Sequence, residues 1–234
     1  MYNQSAQFYD LVYGYKDYAG EAQAIHKLIT QYCRSGGNVL LDVACGTGRH
    51  LDYLQEFYAV SGLDLSAELL TVARQRLPGA TFYEADMVDF DLGVQFDVII
   101  CLFSAIGYVQ TDPCLWQTVQ GMSRHLKPGG VVIVEPWFTP EQWHPGTAHA
   151  TFVDQPELKV ARMTVSEQEG SLSRNDFHWL VATPAGIQYF TERHELGLFT
   201  QDAYMSALRE AELDVIFDPD GLTGRGLYIG VKPM

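Results

Sequence analysis

The sequence lacks an excess of positive charge and a long apolar run. It contains 15 Lys and Arg against 29 Asp and Glu, which gives a formal net charge of -14. Such a surface repels polyphosphate, and duplex-binding proteins ordinarily present a basic stripe, so we expect no nucleic-acid partner. The longest uninterrupted apolar run, Val98 to Phe103, is far shorter than a membrane span, so we expect no membrane partner either.

Cysteine is also scarce, and Cys33, Cys45, Cys101 and Cys114 show no CxxC spacing. Cys45 and Cys101 lie within runs of apolar or small residues, a setting typical of buried thiols. The N-terminus lacks the basic and apolar regions of a secretory signal. These features predict a reduced, cytoplasmic protein. The histidines form no helical ligand pair, so no metal is expected.

From residue 39 onward the apolar pattern alternates between short strands and amphipathic helices. Strands are predicted at residues 39–43, 59–63, 81–85, 96–102, 130–135, 213–217 and 226–231. Helices are predicted at residues 4–12, 20–33, 48–56, 67–77, 113–126 and 201–211. This order predicts an α/β fold with a doubly wound, Rossmann-like sheet of seven strands, covered on both faces.

Residues 148–198 interrupt that alternation with four strand-like stretches separated by Gly or Pro turns. We interpret them as an antiparallel β-meander inserted into the α/β unit. The predicted organisation is therefore one domain of residues 1–147 and 199–234, with an insertion of residues 148–198 that covers the site.

The stretch "LLDVACGTGRHLDYL" marks the first strand-to-helix turn, the place where a doubly wound sheet approaches its ligand most closely. Ala44, Gly46 and Gly48 have small side chains or none, so a ligand can approach the backbone closely there. A dinucleotide fingerprint requires a third small residue at Leu51, which is bulky, so a nicotinamide-dependent oxidoreductase is disfavoured.

Four motifs in order, "LDVACGTG", "GLDLS", "EADMVDF" and "HLKPGGVVIV", resemble those of class I S-adenosylmethionine-dependent methyltransferases. The resemblance implies that Asp64 accepts hydrogen bonds from the ribose and that Asp86 and Met87 hold the adenine. It also implies that Tyr9 and Tyr18 close over the methionine part. The cofactor-binding residues implied are Tyr9, Tyr18, Ala44, Gly46, Thr47, Gly48, Asp64, Leu65, Asp86, Met87 and Leu102.

A closer resemblance covers nearly the whole chain through "YDLVYGYKDYAGEA", "FSAIGYV", "EPWF" and "TGRGLY". These stretches are similar to the N,N-dimethyltransferases of dTDP-linked 3-amino deoxysugars of the desosamine and mycaminose type. The resemblance implies a nucleotide-sugar substrate, two methyl transfers and S-adenosylhomocysteine as by-product. The oligomeric state is open, with a homodimer as one candidate.

The resemblance implies further roles around the acceptor. Tyr108, with Tyr2 as a second candidate, is expected near the acceptor amine as a catalytic residue. Substrate contacts are expected from Glu135, Trp137, Arg162, Arg174 and Arg225, with the arginines meeting the diphosphate because a forked guanidinium suits phosphate.

Several alternatives stay open from the residues alone. Arg162 and Arg174 alternate with apolar residues and fit the solvent face of a sheet equally well. Trp137 also fits a plain core position. The protein is alternatively a methyltransferase for another small amine, carboxylate or hydroxyl, or a sensor that binds the cofactor without transfer. Asp64 stands where the relatives tend to carry Glu, and Phe138 where they tend to carry Trp.

Overall fold

A computed structural model describes residues 4–234. Two short 3-10 helices cover Ala6–Phe8 and Ala105–Val109. The α-helices are α1 (Tyr9–Val12), α2 (Tyr18–Tyr32), α3 (Arg49–Leu54), α4 (Ala67–Arg76), α5 (Asp112–Arg124) and α6 (Gln201–Glu210). The strands are β1 (Val39–Val43), β2 (Ala59–Asp64), β3 (Thr81–Glu84), β4 (Phe96–Cys101), β5 (Leu126–Val134), β6 (Ala148–Gln155), β7 (Leu158–Glu169), β8 (Leu172–Thr183), β9 (Gly186–Gly197), β10 (Asp214–Asp218) and β11 (Leu227–Val231).

Seven strands form one sheet in the order β10-β11-β5-β4-β1-β2-β3. Five neighbouring strands run parallel to one another, in the sheet order β5, β4, β1, β2 and β3. Strand β11 is antiparallel to both β5 and β10. The chain moves outward from β1 through β2 and β3, then returns to β4 on the other side of β1. This reversal places a ligand crevice beyond the carboxyl ends of β1, β2 and β4.

Apolar residues cover both faces of that sheet. Successive strand residues point to opposite faces, so Leu41 and Val43 join the core with α5 and α6, whereas Leu40 joins the core with α2, α3 and α4. Leu51 is fully buried in the second core. A packed leucine side chain therefore occupies the position where a dinucleotide fingerprint requires a small residue.

The inserted segment forms a separate antiparallel sheet in the order β6-β7-β8-β9. Its inner face packs on the N-terminal segment through Phe8, Val12, Val160, Trp179 and Val181. This cluster ties the second sheet to the opening helices. The expected α/β architecture with an antiparallel insertion is confirmed.

Two local features differ from the sequence-based expectation. The strand expected at residues 130–135 starts four residues earlier, at Leu126, and its pairing with β4 shifts between Phe96 and Val98. The 3-10 helix at Ala105–Val109 was not predicted. No helix within residues 4–234 is long and apolar enough to cross a membrane.

Candidate active site

A cavity of about 750 Å³ opens at the reversal point and runs under the second sheet. Its wall combines the carboxyl ends of β1, β2 and β3, the loop after β4 and the inner face of β6 to β9. The residues expected at the site from the sequence that line it are Tyr9, Ala44, Gly46, Asp64, Leu65, Asp86, Met87, Leu102, Tyr108, Trp137, Arg162 and Arg225.

The turn after β1 has an unusual backbone. Ala44 has a φ of 60° and Gly46 a φ of 57°, a left-handed conformation that costs a residue with a side chain about 1–2 kcal/mol. A Cβ placed on Gly46 would meet no atom within 4 Å, so it would project into the cavity. The missing side chain leaves space for a ligand to lie against the backbone.

Asp64 ends β2 beside this turn and is 9% exposed. Its Oδ2 accepts the N–H of Gly46 and its Oδ1 accepts the N–H of Ser66, both at 2.8 Å. Burial raises the pKa of Asp64, and the backbone N–H groups oppose that rise. Each carboxylate oxygen has a further lone pair, so both can also accept a ligand hydroxyl.

A smaller recess adjoins the cavity below the turn, lined among others by Tyr9, Tyr18, Asp42 and Arg49. Burial, and then the Asp64 carboxylate, raise the pKa of Asp42 well above its usual range. Within the described part of the chain, the buried Tyr18 Oη and Arg49 Nε have no hydrogen-bond partner. An acid, a guanidinium and a phenol in one recess suit a ligand end that carries both an ammonium and a carboxylate group.

Tyr108 belongs to the 3-10 helix, and its Oη lies 2.7 Å from Nδ1 of His194 on β9. Both side chains line the cavity. The contact joins the 3-10 helix that follows β4 to the inserted sheet at the site. Sequence reasoning missed His194 because the partner comes from 86 residues further along the chain.

Arg162, on β7, is 9% exposed and lies at the cavity wall. It donates to Tyr13 Oη at 2.9 Å and to Thr151 Oγ1 at 3.2 Å, and its guanidinium lies over the rings of Phe177 and Trp179. Among residues 4–234 it forms no ion pair. A buried guanidinium without a carboxylate partner can attract an anion into the cavity.

Arg225, in the loop before β11, lies over the rings of Trp137 and Phe138. Its Nη2 donates to Glu135 Oε1 at 3.0 Å, while its buried Nε has no partner within the described residues. Glu135 Oε2 also accepts the N–H of Phe103 at 2.6 Å. Glu135 therefore positions both the arginine and the loop after β4.

Three residues expected at the site are placed differently. Glu135 is fully buried and does not line the cavity, so it supports the wall rather than touching an acceptor. Arg174 lies on the opposite face of the inserted sheet, where it pairs with Glu169 and Glu195. Gly48 precedes α3 with a φ of 74° and lines neither the cavity nor the recess, whereas Thr47, like Tyr18, lines the recess. Tyr2 lies outside the described residues.

Similarity to known proteins shows the family of this chain. Residues 40–130 match a family model described as a methyltransferase domain. The chain is 43% identical to dTDP-3-amino-3,4,6-trideoxy-alpha-D-glucopyranose N,N-dimethyltransferase of Streptomyces venezuelae, over 97% of each chain. The chain belongs to the dTDP-amino-sugar N,N-dimethyltransferase family.

Two solved structures of similar methyltransferases agree with this assignment. DesVI of Streptomyces venezuelae is 40% identical, with a TM-score of 0.91 over all of both chains. CalS10, an amino pentose methyltransferase from Micromonospora echinaspora solved with S-adenosylmethionine bound, is 36% identical, with a TM-score of 0.86 over 99% of this chain and 98% of that one. The chain is thus an S-adenosylmethionine-dependent methyltransferase, as the sequence predicted, and the nicotinamide alternative is wrong.

Proposed function

We propose that this methyltransferase transfers two methyl groups to the amino group of a dTDP-linked 3-amino deoxysugar. The proposal is supported above all by one cavity that combines a bare backbone turn and a ribose-type carboxylate with two arginines contributed by other elements. Its volume of about 750 Å³ lies in the upper part of the range for small-molecule sites, as a site for two ligands requires.

The residues around the first turn fit S-adenosylmethionine. Asp64 would accept the ribose hydroxyls, and the open space over Gly46 would admit the chain that carries the sulfur. Asp42 in the recess would face the ammonium group, and Tyr18 and Arg49 would face the carboxylate. Met87 and Leu65 would cover the adenine, with Asp86 at its amino group. When bound, the cofactor supplies an electrophilic methyl group on a sulfonium sulfur.

The arginines fit the acceptor's anionic part. A diphosphate entering a protein of net charge -14 requires local positive charge. Arg162 offers a guanidinium without an acidic partner in the described chain, and Arg225 offers a free Nε beside an aromatic wall. We assign the diphosphate and nucleoside to this part of the cavity, with Trp137 and Phe138 as the wall.

Tyr108 would orient the sugar amine towards the methyl group. Only the neutral amine is a nucleophile, and a nearby positive charge lowers the amine's own pKa. Holding the reacting atoms in line can contribute up to about 7–11 kcal/mol, so the protein needs no strong base. The expected chemistry is therefore mainly one of positioning.

The test is mass spectrometry of dTDP-3-amino and dTDP-4-amino deoxysugars incubated with S-adenosylmethionine and the protein. A 3-amino sugar that gains two methyl groups supports the proposal. Methylation of only an unrelated amine, carboxylate or hydroxyl compound contradicts it, as does binding of cofactor without transfer to any acceptor.

Two arginine variants test the assigned diphosphate site. Arg162→Met should raise KM for the nucleotide sugar about tenfold or more while leaving S-adenosylhomocysteine binding unchanged, since a charged hydrogen bond contributes about 1.5–3 kcal/mol. Arg174→Met, on the opposite face of the same sheet, is the matched control and should leave KM unchanged. Equal effects of both variants would refute the assignment.

A further inference from the structure

His194 and Glu192 form a polar pair directly behind Tyr108. Both belong to β9 and, being two residues apart, face the same side of the strand. Nδ1 of His194 lies 2.7 Å from Tyr108 Oη, and its Nε2 lies 4.0 Å from Glu192 Oε2. His194 is only 3% exposed.

Glu192 is anchored in its ionised form. Ser5 donates its backbone N–H to Oε1 at 3.2 Å and its hydroxyl to Oε2. Burial alone would raise the pKa of Glu192, but the nearby His194 imidazole and the hydrogen bonds from Ser5 outweigh it and lower the pKa to about 2. At neutral pH the imidazole therefore faces a fixed negative charge.

That charge decides which ring nitrogen carries the hydrogen. A neutral imidazole has one donor and one acceptor nitrogen. The carboxylate near Nε2 favours the hydrogen there, which leaves Nδ1 as the acceptor. The neighbouring residues on β8 are Asn175, opposite His194 in the register, and Phe177, whose ring lies edge-on to the imidazole. Both are uncharged and do not reverse this preference.

We propose that His194, oriented by Glu192, is a positioning residue that accepts the hydroxyl hydrogen of Tyr108, so that the Tyr108 oxygen presents its lone pairs to the acceptor amine. The inference rests on the proposed function and deepens it. A phenol oxygen can donate or accept a hydrogen bond. Because the Tyr108 hydrogen is donated to His194, the Tyr108 oxygen acts as an acceptor for the N–H groups of the amine.

The same pair provides a place for the proton that methylation releases. The amine nitrogen bonds to the methyl carbon while the carbon–sulfur electron pair stays on sulfur, so the nitrogen becomes positive. Its proton moves to the Tyr108 oxygen as the Tyr108 hydrogen moves to His194 Nδ1. This leaves a neutral methylamine and an imidazolium facing Glu192, and the proton returns through Tyr108 to water when the cavity empties.

The first test reads the histidine in the free protein, without cofactor or substrate. NMR of protein labelled in its histidine nitrogens, with His194→Gln to assign the signal, should show hydrogen on Nε2 and none on Nδ1 at neutral pH. Glu192→Gln should weaken that preference. Hydrogen on Nδ1 of the parent protein, in either the other tautomer or the imidazolium, overturns the inference.

The second test is kinetic and uses a matched control. His178 Nδ1 lies 2.6 Å from Tyr189 Oη, the same kind of pair on the exposed opposite face of the inserted sheet. His194→Gln should lower kcat about tenfold with KM for the nucleotide sugar unchanged, the size expected for one hydrogen bond. His178→Gln should leave both constants unchanged.

A double variant separates this role from a structural one. If His194 acts through Tyr108, His194→Gln should have no further effect on kcat in a Tyr108→Phe background. Additive losses overturn the inference, and so does a full kcat in His194→Gln. A parent protein that methylates no amino sugar would instead refute the proposed function, while the NMR result on the free protein would still decide the orientation of His194.

Discussion

Replacing Gly46 by alanine tests whether the bare turn after β1 is a cofactor surface. At a φ of 57° the new Cβ costs about 1–2 kcal/mol of backbone strain. For a chain of this size that lowers Tm by about 2–8 °C. The methyl group meets no protein atom within 4 Å, so beyond the backbone strain it should affect only the affinity of a ligand bound in the cavity. Overpacking by one methyl group costs about 1–3 kcal/mol, which weakens binding roughly 5- to 150-fold.

Gly170 provides the matched control for this variant. It lies in the turn between β7 and β8, has a φ of 60°, and its added Cβ would likewise meet nothing within 4 Å. Gly170→Ala should therefore show a similar loss of Tm by differential scanning fluorimetry. Isothermal titration calorimetry with S-adenosylhomocysteine should show weaker binding only for Gly46→Ala. Unchanged affinity in Gly46→Ala, or an equal loss in both variants, would refute the reasoning.

Three further predictions concern the acceptor side and the core. Tyr108→Phe should lower kcat about tenfold in steady-state kinetics, because one orienting hydrogen bond is lost, whereas a loss beyond about 10⁴ would require a true general base. Glu135→Gln keeps an acceptor for the Phe103 N–H but loses the charge that holds Arg225, so KM for the nucleotide sugar should rise while cofactor affinity measured by calorimetry stays constant. Burial alone would raise the pKa of Asp97, but hydrogen bonds, first from Lys127, outweigh it and lower the pKa. The stability this carboxylate contributes is present above about pH 4 and is lost as the pH falls further. The free energy of unfolding of Asp97→Asn, measured with urea, should therefore depend less on pH below about pH 4 than that of the parent protein. An equal pH dependence in both proteins would contradict this role of Asp97.

Much of the fold was predictable because it follows from local patterns. The strand Val39–Val43 matches its predicted bounds, since a buried parallel strand is a nearly continuous apolar run, interrupted here only by Asp42, and small residues follow it. The 3-10 helix at Ala105–Val109 was not predictable. It follows two residues in left-handed conformation, Phe103 and Ser104, that are held by contacts with Glu135 and Pro136, far away in the sequence.

The same distinction applies to the site. Gly46 and Asp64 each belong to a short contiguous motif, and both line the cavity as expected. Arg162 and Arg174 looked equivalent, yet only Arg162 faces inward. The hairpin between β7 and β8 pairs even-numbered with odd-numbered residues, for example Arg162 with Trp179, so inward positions change parity across the turn. No local pattern determines that register.

The central claim is that the turn between β1 and α3 binds the adenosyl part of S-adenosylmethionine through Asp64. The most direct measurement is calorimetric titration of S-adenosylhomocysteine into the parent protein and into Asp64→Ala, with folding of both verified by circular dichroism. The account predicts saturable binding by the parent and roughly tenfold or greater weakening in the variant, from loss of a charged hydrogen bond. Absence of binding by the parent, or equal affinity in a folded Asp64→Ala, would contradict it.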